Sequence, residues 1–181
     1  HYSIVKGDIQ HLTFAVKRDV TTEHEGEVST ILHDELAEGD SINLSAPVGP
    51  FKVENLNNEQ LFLGSGIGVT PLVPMFNEVV TNGSKAQFIQ VTNDVNDVPF
   101  ESLINEIAST KESVNYQLHD KNSEGYLDTE KLRAYINEET EIYICGGTHF
   151  LQSIIKALKE MNVDTSKIHY ETFIPKLSVT V

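Results

Sequence analysis

Residues 61 to 71, Leu-Phe-Leu-Gly-Ser-Gly-Ile-Gly-Val-Thr-Pro, constrain the fold more than any other stretch. Leu61 to Leu63 is a short apolar run that suits a buried strand. Gly64, Gly66 and Gly68 follow at alternate positions. Thr70 is expected to cap a helix, and Pro71 suits its first turn, where a missing N–H costs nothing. Leu72, Val73, Met75, Phe76, Val79 and Val80 then recur at helical spacing. Strand, glycine turn and helix is how an α/β sheet offers backbone N–H groups and a helix dipole to a phosphate. Gly66 and Gly68 are expected to let such a ligand lie against the backbone. The run is neither a G-x-G-x-x-G fingerprint, since Pro71 stands in the last glycine's place, nor a Walker A loop. Taken alone, it fits a bare structural turn as well as a nucleotide site.

The rest of the chain supplies the context. From Leu61 onward, strands are expected at 60–63, 86–91, 114–118, 141–145 and 168–171. Helices are expected at 71–81, 100–109, 129–136 and 150–161. That alternation predicts a doubly wound parallel sheet covered by helices on both faces. The first third reads as β instead. His11 to Arg18 and Ser41 to Ala46 alternate apolar and polar residues, and a short helix capped by Ser29 lies between them. Residues 54 to 60 read as a linker. Two domains are therefore expected, 1–56 and 57–181.

Composition narrows the function. With 13 Lys+Arg against 27 Asp+Glu the formal charge is −14, which argues against nucleic acid or an anionic membrane as a partner. No apolar run is long enough to span a bilayer and no signal peptide is evident. The single cysteine, Cys145, fits a reducing, cytoplasmic setting. Cys145 lacks a basic neighbour to activate it, so a buried inert thiol is the expectation. The seven histidines are dispersed and no metal site is expected. A second glycine turn, Cys145-Gly146-Gly147-Thr148, follows the strand at 141–145 and strengthens the ligand reading. After the strand at 86–91 come Asp94 and Asp97 with no Lys or Arg. A carboxylate there can bind a ribose 2′-OH and would repel a 2′-phosphate, which leans toward NADH over NADPH, and a solvated acidic loop fits either residue at least as well.

The ordered set of motifs resembles the ferredoxin–NADP reductase superfamily, and within it the reductase module of bacterial flavohaemoglobins. His1-Tyr2-Ser3 resembles the end of the flavin motif Arg-x-Tyr-Ser. Lys17-Arg18, Gly26-Glu27-Val28-Ser29 and Leu32-His33 resemble V-K-R…G-x-V-S-x-x-L-H. Ser45-Ala46-Pro47-Val48-Gly49 resembles S-A-P-x-G. Gly64 to Pro71 resembles G-x-G-x-T-P, Cys145-Gly146-Gly147 resembles C-G-P, and His169 to Phe173 resembles H-Y-E-x-F.

The resemblance implies the remnant of an antiparallel FAD-binding β-barrel followed by an NAD(P)-binding domain, an N-terminally truncated form of the family's module. It implies FAD and NAD(P)H as cofactors. Tyr2 and Ser3 would act at the flavin ring beside His1, and Glu171 would sit between flavin and haem. Amides of Val28, Ser29 and Thr30 would face the flavin pyrophosphate. The nucleotide would be held by Gly66, Ile67, Gly68, Val69, Thr70, Pro71, Cys145 and Gly146. Thr172, Phe173, Ile174 and Pro175 would line the cofactors. Gly147 stands where the family has Pro, and Ile174 where flavohaemoglobins often have Gly. In a full-length protein the electrons would pass to haem b of a globin that converts nitric oxide and oxygen to nitrate. The alternatives are a reductase serving another acceptor, or an inactive nucleotide-binding fragment.

Overall fold

A computed structural model describes residues 1–8, 10–19 and 26–173. The chain divides into two compact units, His1–Pro50 and Phe51–Val181.

In the first unit, β1 (Ile4–Gly7) pairs antiparallel with β2 (Leu12–Phe14), and α1 spans Glu27–Asp34. The expected strand over 11–18 stops at Phe14. Beyond it the chain is clipped to α1 by side chains instead. The Arg18 guanidinium forms a two-pronged pair with the Asp34 carboxylate, and the His33 ring bonds the Val16 carbonyl at 2.8 Å. Three residues of the V-K-R…L-H resemblance (Val16, Arg18 and His33) are thus used to fasten one helix. The expected strand at 41–46 is absent, because no partner strand among the described residues offers it a ladder. Ile42 and Leu44 stand 49% and 56% exposed. Alternation marks which face a strand would bury, but pairing is what makes it a strand. Ser29 is not the helix cap. Gly26 is, and Ser29 lies buried in the first turn, where its hydroxyl donates to the Gly26 carbonyl and accepts from the Asp19 N–H.

The second unit bears out the alternating reading. Five parallel strands, β3 (Gln60–Ser65), β4 (Ala86–Thr92), β5 (Val114–Asp120), β6 (Glu141–Gly146) and β7 (Ile168–Thr172), lie in the order β5-β4-β3-β6-β7. Five helices join them: α2 (Val69–Asn82), α3 (Glu101–Ala108), α4 (Lys121–Glu124), α5 (Thr129–Leu132) and α6 (Thr148–Glu160). Period 2 sends alternate side chains of each strand to opposite layers. Phe62 packs with Phe76 of α2, Phe88 and Tyr143 on one face. Leu61, Leu63, Ile89, Val91, Ile142 and Ile144 pack with Leu151, Ile154 and Leu158 of α6 on the other. Both faces of the central strands are buried, which explains why β3 reads as a continuous apolar run. Truncating Phe62, fully buried between these aromatic rings, would cost about 3–5 kcal/mol.

The strand order sets the site. From β3 the chain builds outward through β4 to β5, then returns to the other side of β3 with β6 and β7. The topology therefore reverses between β3 and β6, and beyond the carboxyl ends of these two strands is where a sheet of this order receives a ligand.

Candidate functional site

Both glycine turns stand at that reversal, and they touch. Gly64 and Cys145 are register partners. A Cβ on Gly68 would lie 2.5 Å from the Cys145 carbonyl oxygen and 2.6 Å from Gly146 Cα. Gly68 is therefore a glycine for internal packing, which differs from the expectation that it frees space for a ligand. It takes the role that the third glycine of a G-x-G-x-x-G fingerprint has, which the spacing to Pro71 disguised. Gly146 also packs tightly, against Phe150 and Ser65.

Gly66 behaves differently. Its φ is +54°, and a Cβ there would meet nothing within 4 Å. It is exposed, between half-buried Ser65 and Ile67. Extended Ser65, left-handed Gly66 and the 3₁₀ turn over Gly66–Gly68 make a concave run of backbone N–H groups suited to an anion. Val69, Thr70 and Pro71 are buried and build the turn from behind. Thr70 does not cap α2; Gly68 does. Pro71 has no N–H for the Ile67 carbonyl, and the Thr70 hydroxyl donates to that carbonyl at 2.9 Å. The T-P pair thus repairs its own missing bond.

The electrostatics favour an anion locally. α2 and α6 begin at this edge, and neither carries an acidic residue in its first turn. In a chain of formal charge −14, neither of these helix dipoles is opposed by an acidic residue of its own first turn. Gly147 leads into α6 at φ −66° and ψ 159°, a conformation open to proline, with no atom within 4 Å of a Cβ built on it.

Cys145 is buried, and burial, followed by the charge of Glu171, pushes its thiol up to about 12. The expectation of an inert thiol stands on that physical basis. Glu171 is its register partner on β7, and partial burial raises the Glu171 carboxyl above its ordinary range. Thr172 is exposed and Phe173 half-buried. Ile174 and Pro175 lie outside the described residues. His169, from the same motif, stacks on Tyr143 at 4.8 Å and bonds Glu141 at 2.8 Å. Tyr143 in turn accepts from the Glu54 N–H, so this histidine braces the sheet.

Farther along the edge, Asp94 is less available than its position suggests. Its Oδ1 already accepts from the backbone and side chain of Asn96. The sequence reading also missed a cation. Lys121 follows Asp120 at the end of β5, with its Nζ 5.2 Å from the centre of the Tyr126 ring, and Tyr126 is 68% exposed. Asn122 donates to the Asn93 carbonyl, which ties this turn to the loop after β4. Neighbouring strands bring the two loops together although 29 positions separate Asn93 and Asn122.

In the first unit, His1 and Tyr2 are exposed and Ser3 is half-buried ahead of β1. At α1, the first i→i−4 bond runs from the Thr30 N–H to the Gly26 carbonyl. The Thr30 amide is therefore taken, contrary to expectation, and the amides ahead of that bond belong to Glu27, Val28 and Ser29. Thr30 offers something else: its Oγ1 is buried with no hydrogen-bond partner. A buried orphan hydroxyl beside a helix N-terminus fits a bound polar group. Among the described residues no cluster of side chains could hold a metal ion, and no helix is long and apolar enough to cross a membrane.

A small antiparallel sheet with one helix, followed by a parallel sheet with glycine turns at its switch point, defines the fold of the ferredoxin–NADP reductase class. Solved structures agree. A type IV self-sufficient cytochrome P450 monooxygenase superposes with a TM-score of 0.81 at 22% identity, over 97% of this chain and 22% of its own. The flavohem-like FAD/NAD binding domain of nitric oxide dioxygenase from Vibrio cholerae O1 biovar El Tor gives 0.74 at 23% identity, over 95% and 76%. Ferredoxin-NADP+ reductase from Plasmodium falciparum gives 0.73 at 19%, over 95% and 76%. Within that fold the chain is similar in sequence to part of the flavohemoproteins. It is 30% identical to the flavohemoprotein of Halalkalibacterium halodurans over 166 residues, covering 83% of this chain and 40% of that protein. With the Bacillus subtilis flavohemoprotein it shares 30% over 178 residues, covering 88% and 44%. The chain thus spans about two fifths of the length of the curated relatives it matches. No family model matches it.

Proposed function

We propose that this chain passes electrons from NADH through FAD to a haem acceptor, as the reductase part of a nitric oxide-detoxifying flavohemoprotein. The observation that carries the reading is Gly66, left-handed and open, at a switch point where two helices begin with no acidic residue in their first turns. Similarity to flavohemoproteins along most of the chain supports the choice of cofactors and acceptor.

FAD is assigned to residues 1–56 and the nicotinamide dinucleotide to 57–181. Tyr2 would lend an aromatic face to the flavin ring and Ser3 a hydroxyl to its edge, beside His1. The amides of Val28 and Ser29 and the Thr30 hydroxyl would hold the flavin phosphates. The Ser65–Gly68 amides would hold the dinucleotide pyrophosphate, with Ile67, Val69, Thr70, Pro71, Cys145 and Gly146 shaping the crevice. Glu171, Thr172, Phe173, Ile174 and Pro175 would border the cofactors. The chemistry supplied by bound FAD is the conversion of a hydride, a two-electron donor, into single electrons. The protein's own part is to bind, to orient and to keep a partly buried Glu171 protonated longer than a free carboxyl.

NADH is favoured over NADPH, because Asp94, Asp97 and Asp120 outnumber Lys121 at the far end of the crevice. In the full-length protein the acceptor would be haem b of a globin domain, and the overall reaction would convert nitric oxide and oxygen to nitrate. No nucleic acid or membrane partner is proposed, and the cytoplasm is the proposed setting. The likeness to a P450 monooxygenase favours one second reading, in which the same reductase serves another acceptor.

The test is to load the protein with FAD, remove unbound flavin and add NADH without oxygen. Loss of the yellow oxidised-flavin absorbance is expected, faster with NADH than with NADPH. Retained colour with both nucleotides would exclude the reductase reading.

A further inference from the structure

On the flank of the sheet away from the glycine turns, one buried histidine holds a surface turn together. The His119 side chain, on β5, is 1% exposed. Its ladder neighbour on β4 is Val91, so an apolar residue would suit the position. A polar ring buried there costs free energy unless its nitrogens are used. They are. Nε2 lies 2.9 Å from the Gly125 carbonyl oxygen, and a carbonyl only accepts, so Nε2 carries a proton and donates. Nδ1 lies 3.5 Å from Glu124 Oε2. Glu124 Oε1 accepts from the Asp120 N–H at 2.9 Å. The Asp120 carboxylate accepts from the Asn122 N–H at 2.9 Å and from the Ser123 hydroxyl at 2.8 Å. The four residues of α4 are thereby tied to β5 at both ends. From this turn Asn122 reaches across to the Asn93 carbonyl, at the start of the loop after β4. In a switch-point sheet, the loop after the second strand receives the adenosine ribose of a dinucleotide.

We propose that His119 is a positioning residue for the adenosine end of the dinucleotide. It acts through α4, whose Asn122 braces the Asn93–Asp94 loop. The inference rests on the nucleotide-site reading above and adds a residue that touches no ligand.

The test measures dissociation constants for NADH and for ADP-ribose with this chain and three variants. Asn122→Ala removes the brace at an exposed position. It is expected to weaken both ligands by about 3–10-fold, the size of one hydrogen bond, with an unchanged melting curve. His119→Leu is expected to weaken both equally, and His119→Gln, which keeps an N–H donor, to recover most of the loss. If His119→Leu does not fold, Asn122→Ala carries the test. Wild-type affinity in Asn122→Ala overturns the proposal. So does a loss confined to NADH, because ADP-ribose keeps the whole adenosine end and lacks only the nicotinamide. A wild-type chain that binds neither ligand overturns the nucleotide reading itself.

Discussion

A Cβ on Gly68 would lie 2.5 Å from the carbonyl oxygen of Cys145, so the two glycine turns of the crevice are packed backbone against backbone. Gly66, two residues earlier, faces open space at φ +54°. The two glycines should therefore fail in different ways. Gly68→Ala pushes backbone against backbone and is expected to lower stability by about 1–3 kcal/mol. Gly66→Val meets no atom but strains a left-handed residue and fills ligand space. It is expected to weaken NADH binding while leaving flavin content intact. Melting curves and NADH titrations of the two variants separate the effects. Unchanged NADH affinity in Gly66→Val would remove the turn from the site.

Gly147 should accept the proline that the resembling motif carries. Its φ of −66° is proline's own, and nothing crowds its Cβ position. Gly147→Pro is expected to stabilise the chain by about 0.4–1 kcal/mol, by restricting the unfolded state. Chemical denaturation measures it, and a loss of stability would contradict the expectation.

Glu171 should make stability fall with rising pH. Burial raises its carboxyl above the ordinary value of 4.5, so the folded state holds the proton more tightly than the unfolded chain does. The favourable contribution is complete below the ordinary value and is lost as pH rises through the raised one. Glu171→Gln cannot ionise. Its melting temperature relative to wild type should therefore be higher near neutrality than in acid. A constant difference across that range would show that burial of the charge has no cost.

Cys145 should resist alkylation in the folded protein. It is buried, and its thiol is pushed up to about 12, so thiolate is scarce at neutral pH. Mass spectrometry after iodoacetamide is expected to find it unmodified until denaturant is added. Fast labelling of native protein would reopen a role for the thiol.

The parallel sheet was legible because its strands are buried on both faces and its helices carry clean stripes, as Leu151, Ile154 and Leu158 do on α6. Both glycine turns were legible at their correct strand ends. The role of Gly68 was not, because the atoms that forbid its side chain belong to Cys145 and Gly146, far along the chain. Lys121 was missed for a related reason. It precedes Asn122, whose bond to Asn93 joins neighbouring strand ends that the linear order separates. The expected strand at 41–46 failed on pairing, which no single segment encodes. Thr30 shows a finer limit: its place on the helix was readable, but whether its amide or its hydroxyl was free depended on which residue capped α1.

The central claim, that electrons pass to flavin from an NADH whose pyrophosphate is held at the Gly66 turn, is tested most directly by stopped-flow mixing of the FAD-loaded protein with NADH in the absence of oxygen. Wild type is expected to lose its oxidised-flavin absorbance in a single turnover. Gly66→Val, with the same flavin content, is expected to need far higher NADH concentrations to reach the same rate. Equal concentration dependence in the two proteins would contradict the account.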